Sequence, residues 1–184
     1  MDYFQFCELG VVSPDYPYLA IGDNSAEKWA DLMHYKNTTL IIKFGIEEIR
    51  KLQGEEQRKA FAWLLGYASH VATDVTIHPV VELKVGPYAQ NKTDHRICEM
   101  HQDAHIFQRL NLGGVGLSNH LSSGIGACSN ENGKGLDQTI CKLWSGLLNQ
   151  AYPEDYQLNF PDMDKWHDRF EPIVECISEA GNMC

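Results

Sequence analysis

The sequence predicts an all-α fold, and three observations support this prediction. No segment shows the sustained alternation of apolar and polar residues that is typical of a half-buried strand. Several segments instead space their apolar residues three or four apart, as one face of a helix requires. At 184 residues, with a hydrophobic fraction of 43%, the chain is long enough for a domain with a packed core. We therefore expect a single multi-helix domain over residues 1–184.

The N-terminal part of the chain divides into a predicted loop and two helices. We interpret the first 25 residues as a loop, because "SPDYPYLAIGDNS" is rich in turn-forming residues. Ser25 is a suitable N-cap for the next helix, which carries Trp29 and Leu32 on one face. An amphipathic helix over 46–52 follows.

The longest helix is expected to begin near Glu55, after Gly54, and it is the most apolar segment of the chain. Because the residue before a proline is disfavoured in the helical conformation, this helix should end near Ile77, ahead of Pro79. Its polar residues from His70 onward would then need partners in a buried setting. Its apolar residues span more than one face, so we expect other elements to surround it: Phe61, Leu64, Leu65, Ala68 and Val71.

The second half resumes helical spacing at "HRICEMHQDAHIFQRL", whose apolar stripe includes Ile97 and Met100. Segment 111–135 is rich in Gly, Ser and Asn. We interpret it as a long irregular loop with room for a short helix at 117–122, and long loops in compact domains are often functional. Helices over 136–151 and 162–180 complete the domain.

Composition restricts the class of protein. The net charge of −10 and the scattered lysines and arginines argue against a stable nucleic-acid complex. No stretch reaches the ~18 apolar residues of a transmembrane segment. The N-terminus has no signal-peptide pattern, so we expect a cytoplasmic protein if the chain is complete and a secreted one if a segment has been removed. The sequence does not determine the oligomeric state.

The six cysteines form no CxxC pair, so a thiolate zinc site is not expected. Cys128 could pair with Cys141, and Cys176 with Cys184, in an oxidising compartment. Free buried thiols are the alternative.

Five of the eight histidines lie between residues 70 and 105, together with several carboxylates. His70 with Asp74, and His95 with Glu99, are four residues apart, so each pair projects from one helix face and can close on one cation. Either pair alone could be an ordinary hydrogen-bonded pair. For the cluster taken together, a metal is the better partner, because several buried imidazoles and carboxylates need charge compensation.

Two further residues, His78 and Asp103, extend the predicted site. His78 would lie at the helix end beside Asp74, whose carboxylate could then bridge two ions. Asp103, one turn beyond Glu99, could orient a ligand from outside the coordination shell. Four other histidines are not expected to be ligands: His101, His105, His120 and His167.

These residues resemble the zinc-dependent phospholipase C family, whose all-α fold is shared with the zinc-dependent single-strand nucleases. The resemblance rests on "GYASHVATDVTIHP" and "DHRICEMHQDAH", and upstream on "SPDYPYL" and "DLMHYKNT", and covers about residues 11–110. It implies seven metal ligands: Asp15, His34, His70 and Asp74 on one zinc, and His78, His95 and Glu99 on a second.

The resemblance also implies a third ion, to which Asp74 would bridge. In the family that ion is bound by the N-terminal amino group and backbone carbonyl of a mature chain beginning with Trp, and by a His on the first helix. Residues 1–14 contain neither His nor Trp, so we expect two zinc ions. Imidazole combined with carboxylate suits zinc better than calcium or magnesium.

The function that the resemblance implies is metal-assisted hydrolysis of a phosphate ester, with a phospholipid-type phosphodiester as the expected substrate. Asp15 would be the general base; the alternative is a turn residue that caps the backbone. A single-strand nuclease is a second possibility, favoured by nearby tyrosines and opposed by the negative charge. A metal-binding helical domain without hydrolase activity is a third.

Overall fold

The computed structural model describes residues 3–110, 124–170 and 172. Within these residues the regular elements are helical, apart from an isolated bridge between Ser129 and Leu136, and the all-α prediction is confirmed. The elements are α1 (Phe4–Val12), a 3-10 helix (Ser13–Leu19), α2 (Asn24–Tyr35), α3 (Thr38–Ile49), α4 (Gly54–Val85), α5 (Lys92–Leu110), a 3-10 turn (Gly126–Cys128), α6 (Gln138–Ala151), α7 (Pro153–Leu158) and α8 (163–170).

The chain forms two compact units. The larger unit takes in the described residues of 1–71 and 117–184, and the smaller unit those of 72–116. The single domain over 1–184 stays a prediction.

The N-terminal segment is helical, so its interpretation as a loop is wrong. Phe6 and Leu9 are buried in the core of the larger unit. Gly10 lies so close to α4 that a Cβ atom there would be 2.0 Å from the carbonyl oxygen of Trp63, and a Cβ on Gly66 of α4 would be 2.0 Å from that of Cys7. This close packing of α1 on α4 outweighs the local propensities of the sequence.

The core of the larger unit is built around tryptophans. Trp63 and Trp144 have ring centroids 5.7 Å apart, and Trp144 and Trp166 5.5 Å apart. Each of these side chains is at most 1% exposed, as is Trp29 on α2. The predicted apolar face of α2 is therefore buried.

Asp23, not Ser25, caps α2. The Asp23 carboxylate accepts hydrogen bonds from the backbone amides of Ser25 and Ala26, at 3.0 and 3.2 Å. Aspartate and serine are comparable N-caps, so the choice between neighbouring candidates depends on the backbone of the preceding turn. The hydrogen bond from Lys165 holds the pKa of Asp23 below its usual value.

α4 is longer and more exposed than predicted. It continues through Pro79 to Val85, so the predicted end near Ile77 is wrong. An interior proline costs about 3 kcal/mol, but helical hydrogen bonding resumes beyond it, as from the Gly86 amide to the Glu82 carbonyl at 2.8 Å. Phe61 is 60% exposed, so the expectation that α4 is surrounded on all sides is wrong.

The apolar stripe predicted for α5 lies at the surface, with Ile97 48% and Met100 62% exposed. In the C-terminal region α6 confirms the helix predicted over 136–151, and α8 confirms part of the one predicted over 162–180. The segment 117–122 lies outside the described residues. Among the helices that the structure describes, none has the length and apolar character needed to cross a bilayer.

Cys7, Cys98, Cys128 and Cys141 are free thiols, so Cys128 and Cys141 are not paired in this structure. Cys176 and Cys184 lie outside the described residues. Burial raises the pKa of the Cys141 thiol to about 11, with nearby carboxylates adding to the shift.

Candidate metal centres

Asp15, His34 and His70 come together in the larger unit, and we call them the first cluster. They are supplied by the 3-10 helix, α2 and α4. The Nε2 atom of His34 is 3.2 Å from the Asp15 Oδ1 atom and 3.3 Å from the His70 Nε2 atom. The Asp15 side chain is 53% exposed, whereas those of His34 and His70 are 8% and 12% exposed. The cluster therefore has two largely buried imidazoles and a carboxylate open to solvent.

Backbone carbonyls orient both imidazoles of the first cluster. His34 Nδ1 donates to the Ala30 carbonyl at 2.7 Å, and His70 Nδ1 donates to the Val11 carbonyl at 2.8 Å. Because a carbonyl oxygen only accepts, each Nδ1 atom carries a hydrogen. In the neutral form of each ring the lone pair is then on Nε2, and the two Nε2 atoms lie 3.3 Å apart. Converging lone pairs beside a carboxylate are stabilised by a cation. Metal-binding histidines usually have such a hydrogen bond on the second nitrogen, so these residues fit zinc.

His78, His95 and Glu99 form a second cluster, which lies in the smaller unit. The Glu99 Oε1 atom is 3.0 Å from His95 Nε2 and 3.3 Å from His78 Nε2. His95 is 2% exposed, and neither of its ring nitrogens makes a well-aligned hydrogen bond to a residue that the structure describes. The short His95–Glu99 distance thus reflects proximity without hydrogen-bond alignment. A buried imidazole without a well-aligned hydrogen bond lowers the stability of the fold, and a metal ion bound to Nε2 would offset that loss.

A model of the family described as zinc dependent phospholipase C matches residues 1–154. The chain belongs to this family. The resemblance found in the sequence is confirmed, and the zinc-dependent phospholipase C family is one of hydrolases with an all-α fold. No curated protein and no solved structure matches the chain.

All seven ligand positions implied by the family resemblance lie within residues 1–154, and the structure groups six of them into the two clusters. The seventh, Asp74, lies in the smaller unit, with its Oδ1 atom 3.7 Å from His78 Nε2. Its predicted place beside His70 on the first zinc, and its bridging role, stay predictions. The metal-binding role of the six residues in the two clusters also stays a prediction.

The residues predicted to lie outside the coordination shell have different surroundings. His101 and His105 are exposed. Asp103 is also exposed, and its role in orienting a ligand stays a prediction. His167 is buried and hydrogen-bonded, and His120 lies outside the described residues.

The sequence did not reveal the groups that orient the imidazoles of the first cluster. Ala30 precedes His34 by four residues, so helical geometry alone could have suggested that contact. The Val11 carbonyl is 59 positions from His70, and no local pattern predicts such a pair. The rings of Tyr18 and Tyr35 flank His34, with centroids 5.8 and 5.9 Å away.

Proposed function

We propose that the protein is a zinc-dependent phospholipase C-like phosphodiesterase that hydrolyses phospholipid-type phosphodiesters. The observation on which this rests is the convergence of the His34 and His70 Nε2 atoms beside the Asp15 carboxylate in a chain of this family. Asp15, His34, His70 and Asp74 would bind one zinc ion. His78, His95 and Glu99 would bind a second, leaving a coordination position for water or a phosphate oxygen.

In this proposal the histidines of the first cluster bind the metal ion, and Asp15 also transfers a proton. Zinc, when bound, supplies a Lewis acid that offsets negative charge on the phosphoryl oxygens. His34 and His70 carry their hydrogens on Nδ1, where they donate to backbone carbonyls, so Nε2 would be the nitrogen of each ring that is available to the ion. Asp15 is the proposed general base, because its carboxylate is open to solvent and can accept a proton from an attacking water.

Purified protein should hydrolyse phosphatidylcholine in mixed micelles and lose this activity when a chelator is added, since the proposed reaction needs the ion. Activity should return on addition of zinc. A soluble generic phosphodiester and single-stranded DNA, assayed in parallel, separate the substrate classes. We expect little cleavage of the DNA, because a net charge of −10 repels its backbone.

Turnover that is insensitive to chelator would contradict the proposal. Faster cleavage of DNA than of phosphatidylcholine would identify a nuclease instead. Zinc binding without turnover on any of the three substrates would identify a metal-binding domain without hydrolase activity.

A further inference from the structure

Tyr16, the residue after Asp15, belongs to a buried chain of hydrogen bonds. Its hydroxyl lies 2.9 Å from His167 Nδ1, and His167 Nε2 lies 3.0 Å from the Ser129 hydroxyl. Ser129 in turn donates to the Gly126 carbonyl at 2.9 Å. Because that carbonyl only accepts, the Ser129 hydroxyl hydrogen is used there and His167 Nε2–H donates to Ser129; in the neutral ring Tyr16 then donates to His167 Nδ1.

Both aromatic members of this chain are in the core. Tyr16 is 1% exposed and His167 5%. The Tyr16 ring stacks on Phe170 at a centroid distance of 5.8 Å and lies 6.3 Å from Trp144. Moving this ring would leave a buried hydroxyl without its partner, so the position of Tyr16 is closely restrained.

The residue two positions before Asp15 is restrained in the same way. Ser13 is fully buried; it donates to the Leu9 carbonyl at 2.7 Å and accepts a hydrogen bond from Trp63 Nε1 at 2.8 Å. The exposed Asp15 side chain is therefore carried by a segment that is held in the core on both sides. The restraint at Ser13 comes from α1 and α4, whereas the restraint at Tyr16 comes from α8.

We propose that His167 is a positioning residue for Asp15. Acting through Tyr16, it keeps the 3-10 helix in the orientation in which the Asp15 carboxylate faces His34 and His70. His167 lies beyond residues 1–154, so the family match does not assign this role. The inference rests on the proposed function only in taking Asp15 as a zinc ligand.

The test is the zinc affinity of the first cluster, measured by competition with a chromophoric chelator well below each variant's melting temperature. His167→Phe keeps the ring and removes both nitrogens, and we expect it to weaken zinc binding by roughly 10-fold, at the lower end of the effects of groups that orient metal ligands. Tyr16→Phe, which removes only the hydroxyl, should act in the same direction. Tyr156→Phe is the matched control: it removes the hydroxyl that contacts Ser145 at 2.6 Å and should leave zinc affinity unchanged.

The Asp15→Ala background separates positioning from general loosening of the fold. If His167 acts through Asp15, His167→Phe should not weaken zinc binding further in that background. If His167→Phe weakens zinc binding equally in the parent and in the Asp15→Ala background, the positioning role of His167 is disproved. The assignment of the metal site itself would not be affected by that result. If Asp15→Ala alone does not weaken zinc binding, the inference fails together with the assignment of Asp15 as a ligand.

His167→Asn tests whether the hydrogen bond from Tyr16 can be restored, because the asparagine side-chain oxygen can accept that hydrogen bond in place of Nδ1. We expect it to restore most of the affinity lost in His167→Phe. Affinity as low as that of His167→Phe would count against a role exerted through the Tyr16 hydroxyl.

Discussion

His70→Ala should remove about one zinc ion per chain and lower phosphodiesterase activity by ~100-fold or more, since the loss of a ligand should exceed the ~10–100-fold effect of groups that merely orient one. The variant lacks one of the two Nε2 atoms that converge beside Asp15, which leaves the ion with a weaker donor set. His95→Ala should remove the other ion, because it deletes the buried imidazole beside Glu99. Metal analysis of protein purified without added zinc gives the zinc content, and the chelator-sensitive assay gives the activity.

The matched control for these variants is His101→Ala. His101 lies on α5, as His95 does, but its side chain is exposed and is not part of either cluster. Its replacement should leave both zinc content and activity unchanged. Zinc content that stays the same in both His70→Ala and His95→Ala would disprove the cluster assignment, as would an equal loss in His101→Ala.

Gly10→Ala and Gly66→Ala are each expected to lower the free energy of unfolding by about 2–3 kcal/mol, at the upper end of the overpacking range. A Cβ atom at either position would lie 2.0 Å from a backbone carbonyl oxygen of the facing helix, and backbone is less able to yield than a flexible side chain. α1 and α4 would have to separate. Because Val11 is on α1 and His70 on α4, the separation should also lengthen the hydrogen bond that orients His70.

Urea denaturation measures the stability loss, and Gly146→Ala is its control. Gly146 is inside α6, and a Cβ atom there would meet nothing within 4 Å. Alanine is the better helix former by about 0.5–1 kcal/mol, so this variant should be slightly more stable than the parent. If Gly10→Ala proves as stable as Gly146→Ala, the close helix crossing is not a feature of the folded protein.

Helical periodicity predicted much of this fold because it is a local property. The apolar face of α2 and the start of α4 after Gly54 can be found from neighbouring residues alone. α1 was not found in this way; it packs closely on α4, where Gly10 lies against the backbone of Trp63, far along the chain. The helix end predicted from Pro79 was wrong for a related reason. The residue before a proline does disfavour the helical conformation, but the helix continues on both sides of Pro79 despite this preference.

The same distinction applies to the site. His95 and Glu99 lie one turn apart on a helix, and their approach to 3.0 Å follows from that spacing. The joining of His70 with Asp15 and His34 came from family resemblance, because these residues are on separate elements. The carbonyl of Val11 and the chain from Tyr16 to Ser129 have no sequence signature, because each depends on how distant elements pack.

The placement of the tryptophans gives the two units different spectroscopic signatures. All four lie in the larger unit, and residues 72–116 contain none. Tryptophan emission, excited selectively, therefore comes only from side chains of the larger unit, whereas far-ultraviolet ellipticity also records the helical residues of the smaller one. Ellipticity is therefore the signal that follows the unfolding of the smaller unit, since that unit has helices but no tryptophan.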